Sequence, residues 1–127
     1  MNVLLDTCAL IALASGKLPG KAAKSLERAE RAILPAVVPW EVATKTSKGK
    51  LALPLPPQAW CGELARRHRL SPMDLSASLL CSAAALPAVH RDPFDRVIVA
   101  AALRHDALVL TSDRTIPLYP GVAAVWK

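Results

Sequence analysis

The chain has 127 residues, of which 53% are hydrophobic and only 4% are aromatic; 16 Lys and Arg residues against 10 Asp and Glu residues give a net charge of +6. This length predicts one domain, residues 1–127, that is large enough to bury most of its apolar surface. The positive charge favours a polyanionic partner, and nucleic acid before a membrane.

The cysteines and the N-terminal segment indicate in which cellular compartment the protein is expected. Three cysteines are an odd number, lie far apart and form no CxxC pair: Cys8, Cys61 and Cys81. They indicate neither a disulfide framework nor a structural zinc site, so a reducing cytosol is the expected environment. Asp6 falls where a signal peptide is apolar, and the weakly polar stretch 76–89 is too short to span a bilayer. We therefore expect a cytoplasmic protein without membrane association.

The apolar pattern predicts short strands that alternate with helices. In chain order, the predicted elements are a strand at 3–5, helices at 7–13 and 21–32, a strand at 33–38, a helix from Pro39 that fades at 47–49, a helix at 58–68, a brief strand at 70–73, helices at 75–86 and 93–105, and strands at 107–111 and 122–126. Strands that are continuously apolar are buried on both faces. The sequence thus predicts an α/β sandwich around a central, mainly parallel sheet.

Three residues carry local predictions. Thr7 is predicted to cap the first helix. Pro35 argues against a central position for the second strand, or places its missing N–H at a bulge or an edge. Asp92 precedes a proline, which predicts that Asp92 is the N-cap of the helix at 93–105 and accepts a hydrogen bond from its first turn.

Four acids fall where ligands bind in parallel α/β sheets, beyond the carboxyl ends of the strands. Asp6 follows the first strand, Glu41 follows the second, and Asp113 follows the strand at 107–111. Asp95 lies in the first turn of the preceding helix, and a parallel crossover would bring all four acids to one edge of the sheet. Each acid alone is equally typical of a helix cap or a solvated turn.

Clustered carboxylates repel one another, so they require protonation or a divalent cation. Oxygen ligands without His or Cys favour Mg²⁺ or Mn²⁺, one or two ions per site, over zinc. A cation held there can orient and acidify a water and stabilise charge on a phosphodiester. An acidic pocket in a basic body is therefore typical of a metal-dependent nuclease.

Four segments resemble one protein family. They are "VLLDTCALIAL" at the start, "WEVA" at 40–43, "HRDPFDRVIVAAAL" at 90–103 and "LVLTSDRTI" at 108–116. Together they resemble the PIN-domain ribonucleases, and most closely the VapC-type toxins of bacterial toxin–antitoxin pairs. The resemblance spans nearly the whole chain.

The resemblance implies a three-layer α/β/α PIN fold, Mg²⁺-dependent endoribonuclease activity that leaves a 5′-phosphate and a 3′-hydroxyl, a homodimer, and a cognate VapB-like antitoxin. Carried over by position, the catalytic and metal-binding acids are Asp6, Glu41, Asp95 and Asp113, and the hydroxyls that support them are those of Thr7 and Thr111. Two positions depart from the family pattern. Cys8 stands where Ser, Asn or His is frequent, so a polar contact to the acids is in question, and Pro39 puts the placement of Glu41 in doubt.

Several cations are candidate RNA contacts. Arg96 and Arg114 each follow a site acid, and pairing with a carboxylate or holding a phosphate are equally good interpretations of both. Lys45 and Lys48 are further candidate phosphate contacts. For His90, an ordering role in its loop is favoured over a role at the site.

Two other functions compete with a nuclease. An aspartyl-phosphate protein also places an Asp after its first strand, but a phosphatase of that kind requires DxD and a receiver requires a late lysine. Here Asp6 is followed by Thr-Cys, and the late strand ends in "TSDR". The second rival is a catalytically inactive PIN-like module that binds RNA or protein.

Overall fold

A computed structural model describes residues 1–89 and 91–127, and a single parallel sheet organises them. The strands are β1 (Asn2–Leu5), β2 (Arg31–Pro35), β3 (Leu70–Met73), β4 (Ala107–Leu110) and β5 (Ala124–Val125). The helices are α1 (Thr7–Ala14), α2 (Gly20–Arg28), α3 (Val37–Ser47), α4 (Pro57–His68), α5 (Ala77–Ala84) and α6 (Pro93–His105), with a 3₁₀ turn at Ile116–Leu118.

The sheet has the strand order β3-β2-β1-β4-β5, and every pair of neighbours is parallel. Leu4 of β1 lies in register between Ile33 of β2 and Val109 of β4, and all three are fully buried. Helices follow β1, β2 and β3 and carry the chain back across the sheet, so the next strand starts at the same edge as the one before. The predicted α/β class with a parallel sheet is confirmed, and the carboxyl ends of all five strands meet at one edge.

The boundary between α2 and β2 differs from the prediction. The helix ends at Arg28 and the strand begins at Arg31, whereas the sequence predicted a helix to 32 and a strand at 33–38. Pairing of Asn2 with Arg31 extends the sheet backwards, because backbone hydrogen bonds to β1 outweigh the helical pattern of the side chains. Val37 and Val38 consequently belong to α3 rather than to a strand.

The first alternative predicted from Pro35, a strand that is not central, is wrong, because β2 is an interior strand between β3 and β1. The proline is tolerated there because it is the last residue of the strand. Its register partner is Met73 of β3, while the pairing with β1 ends two residues earlier at Ile33. The missing N–H therefore falls where the ladder with β1 has already ended.

Helix caps were predicted with mixed success. Asp92 caps α6, since its Oδ1 accepts from the backbone N–H of Phe94 at 2.9 Å, as predicted. The cap of α1 is Asp6 and not Thr7, because Asp6 Oδ1 accepts from Ala9 N at 2.9 Å. Within the described residues, no helix is long and apolar enough to cross a membrane.

Candidate active site

Asp6 stands at the centre of the acidic edge and is almost completely buried, with 6% of its surface exposed. Its Oδ1 accepts from Ala9 N and lies 3.0 Å from Cys8 Sγ, while its Oδ2 accepts from the hydroxyl of Thr111. Burial raises the pKa of Asp6 above its ordinary value, although the hydrogen bonds from Cys8 and Thr111 oppose that rise. Both oxygens are thus oriented by the fold, an arrangement that does not favour the free nucleophile an aspartyl-phosphate protein needs.

Thr111 connects Asp6 to Asp113. Besides donating to Asp6, its Oγ1 accepts from Asp113 N at 3.0 Å, so one hydroxyl fixes the turn after β4. Asp113 Oδ1 in turn accepts from the backbone N–H and the hydroxyl of Thr115, at 2.8 and 2.7 Å. Thr111 therefore supports the acids as the sequence indicated, whereas the role of Thr115 was missed. The spacing of Asp and Thr in "DRT" is the sequence signal for such a turn.

Glu41 reaches the same edge from α3. Thr7 Oγ1 donates to Glu41 Oε1 at 2.5 Å, and Lys45 Nζ lies 3.5 Å from Glu41 Oε2. Only 19% of the Glu41 side chain is exposed, so Pro39 does not turn this acid away from the sheet edge. Lys45 is thus adjacent to the acids, while Lys48 lies exposed at the C-terminal end of α3.

Asp95 has the most perturbed carboxyl group of the edge. Burial, a hydrogen bond with the Asp113 side chain, and the charges of Asp92, Asp113 and Glu41 together raise the pKa of Asp95 to about 8. The charge of Glu41 also contributes to the raised pKa of Asp6. The fold therefore brings all four predicted acids into electrostatic contact, although they come from four separate segments.

The donor set of this edge fits a hard divalent cation. Its side-chain groups are carboxylates and hydroxyls, the oxygen ligands that Mg²⁺ and Mn²⁺ prefer. Within the described residues, no three acids, histidines or cysteines are already arranged around a metal position. Instead, Asp95 and Asp113 share a hydrogen bond, and the elevated pKa of Asp95 means that a proton relieves the repulsion. A cation can replace that proton, which is the physical reason to expect one here.

Cys8 supplies the polar contact that the sequence had put in question. Its thiol lies 3.0 Å from Asp6 Oδ1 and 3.2 Å from Ser112 Oγ, and Ser112 N donates to the sulfur at 3.4 Å. Burial and the neighbouring charge of Asp6 raise the pKa of Cys8 to about 11, so the thiol stays protonated and can donate. Ser112 was not predicted, because it meets Cys8 only through the pairing of β1 with β4.

Arg96 makes backbone contacts that neither interpretation of the sequence included. Its guanidinium donates to the backbone carbonyls of Ala84, Leu86 and Pro87 at 3.2, 2.7 and 3.0 Å. These bonds tie the end of α5 to the start of α6. These contacts give Arg96 a structural role, and its RNA contact stays a prediction.

Arg114 and His90 are the remaining predicted contacts near the acids. Arg114 is exposed next to Asp113 and stays a candidate for RNA contact. The prediction for His90 lies outside the described residues. Trp40 is 54% exposed and packs edge-on against Phe94, with ring centroids 4.6 Å apart.

Comparison with known proteins agrees with this geometry. The model of the PIN domain family matches residues 3–121. The chain is 28% identical over 113 residues to ribonuclease VapC22 from Mycobacterium tuberculosis (strain ATCC 25618 / H37Rv), covering 87% of this chain and 85% of that protein.

Solved structures share the fold. VapBC2 from Rickettsia felis, bound to a DNA fragment from its promoter, superimposes with a TM-score of 0.74 at 16% identity, covering 100% of both chains. DNA-bound VapBC from Salmonella typhimurium superimposes with a TM-score of 0.71 at 17% identity, covering 98% of this chain and 97% of the other. The predicted resemblance to VapC-type proteins is confirmed. Because the family model spans residues 3–121, this chain belongs to the PIN-domain family.

Proposed function

We propose that this protein is a Mg²⁺-dependent endoribonuclease that hydrolyses RNA phosphodiester bonds, acting as the toxin of a toxin–antitoxin pair. The observation that carries the proposal is the convergence of four acids at one strand edge, where Asp95 has a pKa of about 8. Carboxylates forced together to this extent are typical of sites that act on a charged substrate through a cation. The 28% identity to a protein named ribonuclease VapC22 supports the same chemistry.

In this proposal Asp6, Asp95 and Asp113 hold the cation, and Glu41 either completes the set or positions the attacking water. Bound Mg²⁺, or Mn²⁺ in its place, would supply a water of lowered pKa and charge stabilisation at the phosphorus. The protein supplies orientation. Thr111 and Cys8 fix the two oxygens of Asp6, and Thr7 fixes Glu41 against α1. A preoriented set of acids avoids reorganisation during the reaction.

The charge distribution suits a nucleic acid substrate. The net charge of +6 includes the four site acids, so the rest of the molecule is strongly basic. Lys45 lies beside Glu41, and Arg114 beside Asp113, where either can meet a phosphate of the bound strand. We propose single-stranded RNA as the substrate, with 5′-phosphate and 3′-hydroxyl products.

The proposal includes partners. Several structures with this fold are named as VapBC or toxin–antitoxin complexes, which supports a VapB-like antitoxin for this chain. We also propose that the chain functions as a single PIN domain, forms a homodimer, and acts in the cytoplasm. Light scattering of the purified chain, alone and with its co-expressed antitoxin, measures both assemblies.

The activity is tested by incubating the purified protein with RNA in Mg²⁺, in EDTA, and as the Asp6→Asn variant. We expect cleavage only by the native protein in Mg²⁺, with ends that a 5′-phosphate-dependent exonuclease can degrade. Asp74→Asn is the matched control, because Asp74 is an exposed acid of the same type just after β3. Cleavage that survives EDTA and Asp6→Asn contradicts the metal mechanism. RNA binding without turnover in any divalent cation would instead support the inactive PIN-like module.

A further inference from the structure

A cavity adjoins the four acids on the side of β4 that faces β5. Its volume is about 510 Å³, within the range of sites that bind small ligands, and Thr111, Ser112 and Asp113 form the wall it shares with the acidic edge. Parallel pairing of β4 with β5 creates it. Thr111 N donates to Val125 O at 3.2 Å, so the residues after β5 lie beside those after β4.

The walls of this cavity differ in chemistry. Pro117, Val125 and Trp126 give it an apolar side, and Arg114 and Lys127 give it a cationic one. Both cations are exposed, and neither takes part in an ion pair within the part of the chain that the structure describes. The cavity thus has an aromatic residue next to two cations, and it is open at one side to the carboxylate cluster. This combination suits a flat base joined to a phosphate.

Trp126 is held in place on two sides. Its carbonyl accepts from Ala22 N at 3.2 Å, which anchors the backbone to the first turn of α2. Its side chain is partly buried against the core, so it is not a freely moving surface ring. An indole that is partly buried against the core loses little entropy when a base stacks on its exposed part.

We propose that this cavity, the Trp126 cleft, is a subsite for one ribonucleotide next to the scissile phosphate. The base stacks on Trp126, and its phosphate binds Arg114 and Lys127. This inference rests on the proposed ribonuclease function and adds a location for substrate recognition. Because stacking tolerates any base, we expect the cleft to bind single-stranded RNA without selecting a particular base.

The first test measures binding of a short single-stranded RNA in EDTA, where no turnover occurs. We expect Arg114→Ala to weaken binding by roughly three- to tenfold at low salt and to reduce the slope of log affinity against log salt by about one. Arg28→Ala is the charge-matched control, since Arg28 ends α2 at the opposite edge of the sheet, and it should leave affinity within about twofold. Equal effects of the two substitutions would overturn the proposal.

The second test detects stacking directly. In a protein with Trp40→Phe and Trp60→Phe, Trp126 is the remaining tryptophan. We expect saturating RNA to quench its fluorescence, and adding Arg114→Ala should move the quench to higher RNA concentration. A merely structural Trp126 would show no quench, and that result overturns the proposal. Trp126→Phe should retain most affinity and Trp126→Ala should lose about tenfold, with thermal unfolding checked in both.

The two proposals fail in different ways. If the protein cleaves RNA, Arg114→Ala leaves KM unchanged and RNA does not quench Trp126, the nuclease proposal stands and the subsite proposal is wrong. If RNA quenches Trp126 but is not cleaved in any divalent cation, the Trp126 cleft stands as an RNA site and the nuclease proposal is wrong.

Discussion

Thr111 and Asp6, which are 105 residues apart in the sequence, are hydrogen-bonded across the adjacent ends of β4 and β1. The same hydroxyl oxygen accepts from Asp113 N, so one threonine sets the position of two of the four acids. The acidic edge is therefore a connected hydrogen-bonded unit and not four independent carboxylates.

We expect Thr111→Val to lower kcat by about 10- to 100-fold while the protein stays folded, because valine keeps the shape and loses both hydrogen bonds. Thr111→Ser should restore most of the activity. Thr44→Val is the control, since that hydroxyl donates within its own helix, to Trp40 O at 2.9 Å. Steady-state cleavage of a labelled RNA measures the effect, and equal rates for Thr111→Val and Thr44→Val would contradict it.

The two aspartates of "HRDPFDR" should separate by function. Asp92→Asn should keep most activity, because asparagine caps a helix as well as aspartate does. Asp95→Asn should abolish cleavage, because it removes a carboxylate from the cluster. Rates of the two variants at saturating Mg²⁺ make the comparison, and similar losses in both would undo the assignment.

The raised pKa of Asp95 predicts how stability depends on pH without a divalent cation. The folded protein holds a proton on Asp95 up to about pH 8, whereas the unfolded chain releases it near the ordinary value of 3.8. The free energy of unfolding should therefore fall as pH rises across that window.

Urea unfolding in EDTA across that pH range measures the slope. Asp95→Asn should flatten it, and Mg²⁺ should raise the stability of the native protein most at the alkaline end. A native protein whose stability rises with pH relative to Asp95→Asn would show that the sign is wrong.

Cys8 should act as a hydrogen-bond donor to Asp6 and not through any reactivity of its thiol. Cys8→Ser keeps a donor for Asp6 Oδ1 and should keep activity, whereas Cys8→Ala should reduce kcat by up to about tenfold. Cys81→Ala, at an exposed cysteine, provides the control. If serine and alanine give the same rate at position 8, the thiol does not orient Asp6.

Arg96 should contribute to stability. Removing its bonds to three backbone carbonyls by Arg96→Ala should lower the free energy of unfolding by about 2–3 kcal/mol. Arg96→Lys should lose nearly as much, because an ammonium group cannot reach the three acceptors that a guanidinium fork spans. Urea midpoints measure both variants. Unchanged midpoints, with RNA affinity rescued by lysine, would instead support a phosphate contact.

The sequence by itself determined the class of fold, the parallel sheet and α6 with its cap. These features depend on local signals, namely short apolar runs and the Asp-Pro start of a helix, and such signals act over a few residues. It also indicated which acids meet, because a parallel crossover always returns the carboxyl ends of strands to one edge.

Only the tertiary structure decided the contacts between segments. Pairing with β1 moved the start of β2 to Arg31, and the interior place of β2 showed that Pro35 is tolerated at a strand end. The contact of Cys8 with Ser112, the carbonyls around Arg96 and the Trp126 cleft all join residues from different elements. Side-chain geometry across a sheet depends on register and on crossovers, and no local pattern of residues encodes it.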